Sequence, residues 1–320
     1  MKSVLNVTSS PHIRHQDTVS GIMLDVIIAL LPASVFGCIL FGLKAALVLI
    51  TCVATAVLSE FLWNLILKKP NTIGDLSAVV TGLLLGMNLS SETPLHIAAI
   101  GSVVAIIVVK QMFGGIGCNF ANPAIAARIV LLVSFPASMT RFCEPVSDAI
   151  TSATPLATLS GEAVETLSPI NLKNLFFGMH SGCIGETSAF LLIVGGLYLV
   201  MRRVITLETP LAFIGTVALL SLISGDKVSV AVFGGGIMLG AIFMATDYTT
   251  TPTTKLGKLI FGLGCGLITF VIRKFAALTE GVSYAILIMN ILVPYINRLT
   301  LKKPFGYIKP VKVKEGGANE

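Results

Sequence analysis

Long apolar runs, separated by short polar or glycine-rich breaks, dominate the chain. The runs at 21–41, 43–67, 95–112, 208–224, 229–246, 256–273 and 281–299 match or approach bilayer length. A helix rises about 1.5 Å per residue, so a hydrocarbon core of roughly 30 Å takes about 20 residues. The run at 187–201 is slightly short, and those at 76–90 and 121–135 are shorter still and rich in Gly or Asn. Together they predict about ten transmembrane helices, an all-α polytopic membrane protein.

The polar stretches divide the chain into five parts. These are an N-terminal segment 1–20, a first membrane half 21–135, a long polar loop 136–186, a second membrane half 187–300 and a tail 301–320 that is basic, then glycine-rich. Pro11 stops any helix ahead of the first span, and Ser20 is the expected cap of that span. The first fourteen residues are polar and no small-residue cleavage site follows the first run, so no secretory signal is expected.

The halves share punctuation. Gly82 and Gly86 align with Gly236 and Gly240, Thr93-Pro94 with Thr251-Pro252, and Gly117 with Gly281, at offsets drifting from 154 to 164. Five spans per half would invert the second repeat relative to the first, an arrangement that places binding sites near the midplane between repeats. Recurrence of small residues in membrane helices is the alternative source of the pattern.

Composition points to lipid as the solvent. The chain is 54% hydrophobic and 12% charged, with a mean hydropathy of +0.91, whereas about a quarter of a soluble domain is charged. The net charge of +6 does not signal nucleic acid, because the basic residues stand singly or in pairs at the ends of apolar runs. With the N-terminus in the cytoplasm and ten spans, fifteen Lys and Arg fall inside, six fall outside and Arg128 lies within a span. That bias follows the positive-inside rule, so both termini are expected in the cytoplasm and the 136–186 loop outside it. The six cysteines include no CxxC pair, and no metal site is expected. Cys143 and Cys183 share the outer loop, where a disulfide is an open alternative.

Three stretches carry candidate chemistry. Asp148-Ala149-Ile150-Thr151-Ser152-Ala153-Thr154, followed by Pro155, joins a carboxylate to small and hydroxyl residues; by residue type alone it reads as a capped surface turn. Phe113-Gly-Gly-Ile-Gly-Cys-Asn119-Phe-Ala-Asn122-Pro123-Ala124 frees the backbone at membrane depth, with Pro123 suited to the first turn of the next helix. Such a break is tolerated only when buried in protein or lining a cavity, so Asn119 and Asn122 are either hydrogen-bonding groups of a site or parts of a close-packed crossing. Thr246-Asp247-Tyr248-Thr249-Thr250-Thr251-Pro252 is polar for a helix end and is either an ordinary capped turn or the lining of a second site. Asp25, Glu60, Asp75, Arg128 and Asp247 are ionisable residues within or at the ends of apolar runs, which are costly and often functional. Capping or solvated positions suit Asp75 and Asp247.

The DxxTSAT pattern ending in Thr154 resembles the flavinylation motif of the integral membrane flavoproteins of the Rnf complex and the Na⁺-pumping quinone reductase. Ser10-Pro11-His12-Ile13-Arg14 and the Gly-rich stretch from Phe113 are similar to two further motifs of that family, so the resemblance covers nearly the whole chain. The short run ahead of SPHIR favours the Rnf branch over its quinone-reductase sister. Many members have glycine where this chain has Ser152.

The resemblance implies a urea-transporter-like fold of two inverted five-helix repeats in a bacterial inner membrane. It implies FMN joined by a phosphoester to Thr154, with Asp148, Thr151, Ser152 and Ala153 forming the motif that a flavin transferase reads. It also implies electron transfer from ferredoxin towards NAD⁺ coupled to Na⁺ or H⁺ movement, shared with partner subunits A, B, C, E and G. Arg128, Asn119 and Asn122 are the candidates for further cofactor contacts, and a second, non-covalent flavin (riboflavin or FMN) is left open. A quinone-reductase-type subunit and a solute channel are the rival readings; flavin content separates the channel from the others.

Overall fold

In a computed structural model, residues 18–143, 150–151, 172–276 and 281–301 are described, and they are mostly helical. The first helix, α1 (Val19–Ile66), opens on Thr18, whose Oγ1 accepts the Gly21 N–H. The cap is therefore Thr18 and not Ser20: a capping hydroxyl must precede the first helical residue and reach an N–H one turn ahead, and Ser20 already lies inside the helix.

Forty-eight residues in one straight helix would run about 72 Å, far beyond the bilayer core. Gly42, at φ 73° and ψ −159°, breaks α1 into two arms. Met23 and Val26 near its start line the same cleft as Ser77 and Lys110, and Lys110 pairs with Glu60 near its end. Both ends of α1 thus lie at one end of the molecule, hereafter the cleft end, and the chain turns back at Gly42. Lys44 pairs with Glu92 just beyond that turn.

The short runs become short helices. α2 (Ser77–Met87) and α4 (Pro123–Ser134) have 11 and 12 residues, roughly 16–18 Å, so their inner ends stop within the protein. Between them α3 (Leu95–Val103) continues as a π-helical turn through Gln111. A brief α5 (Pro136–Met139) leads to β1 (Phe142–Cys143), which pairs antiparallel with β2 (Ile150–Thr151). α6 (Leu172–Phe177) precedes the second half.

That half holds α7 (Ala189–Met201), α8 (Glu208–Ile223), α9 (Val228–Phe233), α10 (Ile237–Leu239), α11 (Lys255–Phe275) and α12 (Val282–Thr300). The apolar run 229–246 is not continuous helix: Gly234–Gly236 interrupts it, with φ +70° at Gly235, and the π-helical turn Gly240–Met244 follows α10.

Glycines set the closest crossings. A Cβ on Gly82 of α2 would lie 2.8 Å from the Cys52 carbonyl oxygen of α1, and one on Gly262 of α11 would lie 2.7 Å from the Thr209 carbonyl oxygen of α8. Gly86 and Gly266, four residues further on, repeat the approach, the small-xxx-small geometry of membrane helices. Outward, the molecule presents large apolar side chains such as Leu43, Ile50, Leu222 and Leu299, a surface suited to lipid. Among the described helices, α1, α11 and α12 are long and apolar enough to cross a membrane, and five shorter apolar helices accompany them.

Candidate functional site

Arg128, expected to need a partner inside its span, is 4% exposed and joins several elements. Its Nη1 donates to Asn88 Oδ1 at 2.7 Å and Ser283 Oγ at 3.3 Å, and its Nη2 lies 3.3 Å from Cys183 Sγ. Asn88 is the C-cap of α2, where a cation is stabilised by the carbonyl ends of the helix. Ser283 opens α12 and Cys183 belongs to the turn ahead of α7. The guanidinium therefore ties a half-length helix of the first half to two elements of the second. Cys183 is buried against Arg128, and Cys143 lies in β1 opposite Ile150.

Asn122 makes a second tie. Its Oδ1 caps α4 by accepting the Ala124 and Ile125 N–H groups, and its Nδ2 donates to the Met244 carbonyl. With the Asn290 amide oriented to suit its neighbours, Asn290 accepts the Asn122 N–H and donates to the Thr250 carbonyl, both at 3.1 Å. The half-length helices thus end in side-chain amides rather than in bare backbone, as a low-dielectric interior demands.

Asn122 also borders a partly open cleft at the cleft end, whose enclosed volume is about 90 Å³. Lys110, Asn119, Asp247 and Tyr248 supply polar groups, and Met23, Leu84, Leu199 and Phe243 supply apolar walls. Asn119 Oδ1 is buried without a hydrogen-bond partner. A second hollow of about 230 Å³ adjoins the first through Val204, Ile205, Thr246 and Tyr248, and carries Thr206, Thr209, Thr251, Thr253 and Lys258.

The carboxylates flagged by sequence have distinct roles. Asp75 caps α2, accepting the Ser77 N–H and hydroxyl at 2.9 and 2.6 Å. Asp247 accepts three bonds from Thr249 and Thr250, and burial still pushes its carboxyl above the usual range. Burial also pushes Tyr248 up to about 12, so its hydroxyl keeps its proton at neutral pH. Asp25 accepts from Tyr198 at 2.8 Å and Arg202 at 3.1 Å, linking α1 to α7.

Glu60 belongs to a cluster that sequence reasoning does not assemble. Both of its oxygens accept from Lys110 Nζ at 3.0 Å, and its Oε1 also accepts from Thr72 and Gln111 at 2.8 Å. Lys110 adds a bond to Ser77 Oγ at 2.5 Å. Lys110 is 2% exposed and Glu60 1%. A lysine inside an apolar run is the available signal, but a charge count treats it only as a topology marker.

Of the Asp148–Thr154 stretch, Thr151 lies in β2, opposite Phe142. Asp148, Ser152, Ala153 and Thr154 lie outside the described residues. The structure brings Asn119 and Asn122 to one cleft and places Arg128 deeper, against Asn88 and Ser283.

Similarity to known proteins agrees with this picture. The D subunit of the Na(+)-translocating ferredoxin:NAD(+) oxidoreductase complex of Acetobacterium woodii is 47% identical over 308 residues, covering 95% of this chain and 96% of that protein. The D subunit of the proton-translocating ferredoxin:NAD(+) oxidoreductase complex of Clostridium ljungdahlii is 41% identical over 322 residues, covering 95% of this chain and 97% of that protein. The D subunit of the ion-translocating oxidoreductase complex of Stutzerimonas stutzeri is 37% identical, covering 91% of this chain and 93% of that protein. Residues 6–306 match the NQR2, RnfD, RnfE family, and the chain belongs to that family.

Proposed function

We propose that this chain is the membrane flavoprotein, the D subunit, of an ion-translocating ferredoxin:NAD⁺ oxidoreductase complex, carrying FMN in phosphoester linkage to Thr154. Near-full-length similarity to subunits of that name carries the reading. The Asp148–Thr154 motif adds the flavin. A bound flavin accepts one or two electrons and so links carriers of both kinds; the protein fixes its position, electrostatics and solvent access. Ferredoxin and NAD⁺ are expected to bind partner subunits, because this chain shows no strand-turn-helix nucleotide loop in its sequence.

In this reading the ten membrane segments form two inverted halves. The two arms of α1, α2, α3 and α4 make the first, and α7, α8, α9–α10, α11 and α12 make the second. Thr93-Pro94 leading into α3 and Thr251-Pro252 shortly ahead of α11 support the pairing. The cleft end, where Lys110 and both ends of α1 gather, is cytoplasmic by the positive-inside rule, and the 136–186 loop is extracytoplasmic.

The cleft at the cytoplasmic end suits the non-covalent flavin. Its apolar walls match a planar ring, and Asn119 Oδ1 offers a buried, unused acceptor for a ring N–H. The threonine-lined hollow beside it suits the polyol tail. Asn119 would orient such a ring, and Tyr248 would cover it.

Denaturing electrophoresis with in-gel flavin fluorescence tests the covalent site, using wild type and Thr154→Ala, each co-expressed with the flavin transferase. The expected result is a fluorescent band near 33.7 kDa in wild type and none in the variant; a dark wild-type band with active transferase rejects the linkage. Flavin extracted from the native complex tests the cleft, with Asn119→Ala expected to lose the releasable flavin and keep the covalent one.

A further inference from the structure

The segment from His180 to Glu186 folds between the two halves, away from the cleft. The Ile184 N–H donates to the Leu89 carbonyl at 3.0 Å, and a Cβ on Gly185 would lie 2.8 Å from Met87 Cβ. The segment ends in a 3₁₀ turn, Ile184–Glu186, that buries Glu186 to 6% exposure. Glu186 Oε2 accepts the Cys183 N–H at 3.3 Å, and Oε1 is buried with no hydrogen-bond partner.

His180 has the same defect. Its Nδ1 lies 3.2 Å from the Ser181 carbonyl oxygen. That contact is a hydrogen bond only when Nδ1 carries the proton, which leaves Nε2 as a bare acceptor. Nε2 is buried and also without a partner. Burial pushes the imidazole below its usual range, which keeps it neutral. The two side chains meet around Gly182, where an added Cβ would lie 2.8 Å from Glu186 Oε2 and 3.7 Å from His180 Nδ1.

Opposed influences meet at the Glu186 carboxyl. Arg128 approaches from α4, and a Cβ on Gly236 would lie 3.2 Å from Glu186 Oε1 and 3.9 Å from Arg128 Nη1. Arg273 approaches from α11 with its Nη groups on the Ala231 and Gly234 carbonyls, and it feels the Glu186 charge. Among the described residues, Cys183, whose thiol is hydrogen-bonded with the Glu186 side chain, is a further titratable neighbour, while α1, α2 and α10 present Gly37, Met87 and Leu239 to this turn.

We propose that Glu186, with His180 beside it, is a protonatable site that takes up and releases one proton between the two membrane halves. The proton adds to Oε1 on uptake and leaves from Oε1 on release, and no other bond changes. His180 is partly exposed and Met179 next to it is 58% exposed, so exchange with solvent runs on the His180 side. The site is independent of a flavin at Thr154.

Infrared pH titration of the purified complex tests the proposal, comparing wild type, Glu186→Gln, His180→Ala and, as control, Glu92→Gln. A carboxyl C=O band that titrates reversibly in wild type and in the control, and is absent from Glu186→Gln, is expected. His180→Ala should keep the band and shift its midpoint by roughly tenfold in proton affinity. Identical titrations in wild type and Glu186→Gln would overturn the proposal, with a bound water satisfying the pair instead. Should Glu186→Gln fail to assemble, Glu186→Asp decides: a displaced titrating band supports the site, and an unchanged spectrum overturns it.

Discussion

Two buried charged clusters sit at different places in the bundle, and they are built differently. At the cleft end, Glu60 receives four hydrogen bonds and Lys110 gives three, so every charge has its partner. In the turn ahead of α7, Glu186 accepts the Cys183 N–H at 3.3 Å through Oε2 and lies against the Cys183 thiol, while its Oε1 and the Nε2 of nearby His180 are buried without partners. A fully satisfied network rigidifies its surroundings, whereas a half-satisfied one is costly unless its state changes in use. The first cluster is a fastening between α1, α2 and α3; the second has the features of a group that exchanges something.

The largest effect should come from the backbone that places the second cluster. Gly178 holds φ +91°, and a Cβ there would collide with the Thr187 carbonyl. Gly178→Ala should abolish accumulation of the complex, read by immunoblot of membranes. Next, Lys110→Met strands a buried carboxylate and should destabilise the protein by about 3–5 kcal/mol, whereas Lys110→Met with Glu60→Leu should recover most of that loss. Thermal unfolding in detergent reads both. If the double variant were no better than the single one, the cluster would not be the simple fastening described here.

Arg128→Ala removes partners from Asn88 and Ser283 at once. A loss of about 2–4 kcal/mol is expected, measured the same way. Smallest is Glu186→Gln, expected within about 1 kcal/mol of wild type, because the carboxylate has so few bonds to lose. A loss as large as that of Lys110→Met would make Glu186 a structural anchor and erase the contrast between the clusters.

Much of the architecture is legible residue by residue. The short runs 76–90 and 121–135 become α2 and α4 because eleven or twelve helical residues cannot cross a bilayer, and Asn122 ahead of Pro123 marks the cap. Arg128 is recognisable as needing partners, but their identity is not: the amide of Asn88, the hydroxyl of Ser283 and the thiol of Cys183 lie 40, 155 and 55 residues away. Asn119 and Asn122 stand out together in the sequence and share one cleft. His180 and Glu186 carry no such signal, since neither stands in an apolar run and their burial arises only when the halves close around them.

Residue type and short-range spacing are enough to set the solvent, the number and length of apolar runs, the charge bias and the motif ending in Thr154. That Lys110 meets Glu60 across 50 residues, that α1 turns back at Gly42, and that Glu186 is buried without a donor to Oε1 emerge from the folded arrangement alone. Those outcomes depend on which helices share an interface. In lipid, where apolar faces do not discriminate among neighbours, small-residue crossings and polar pairs make that choice.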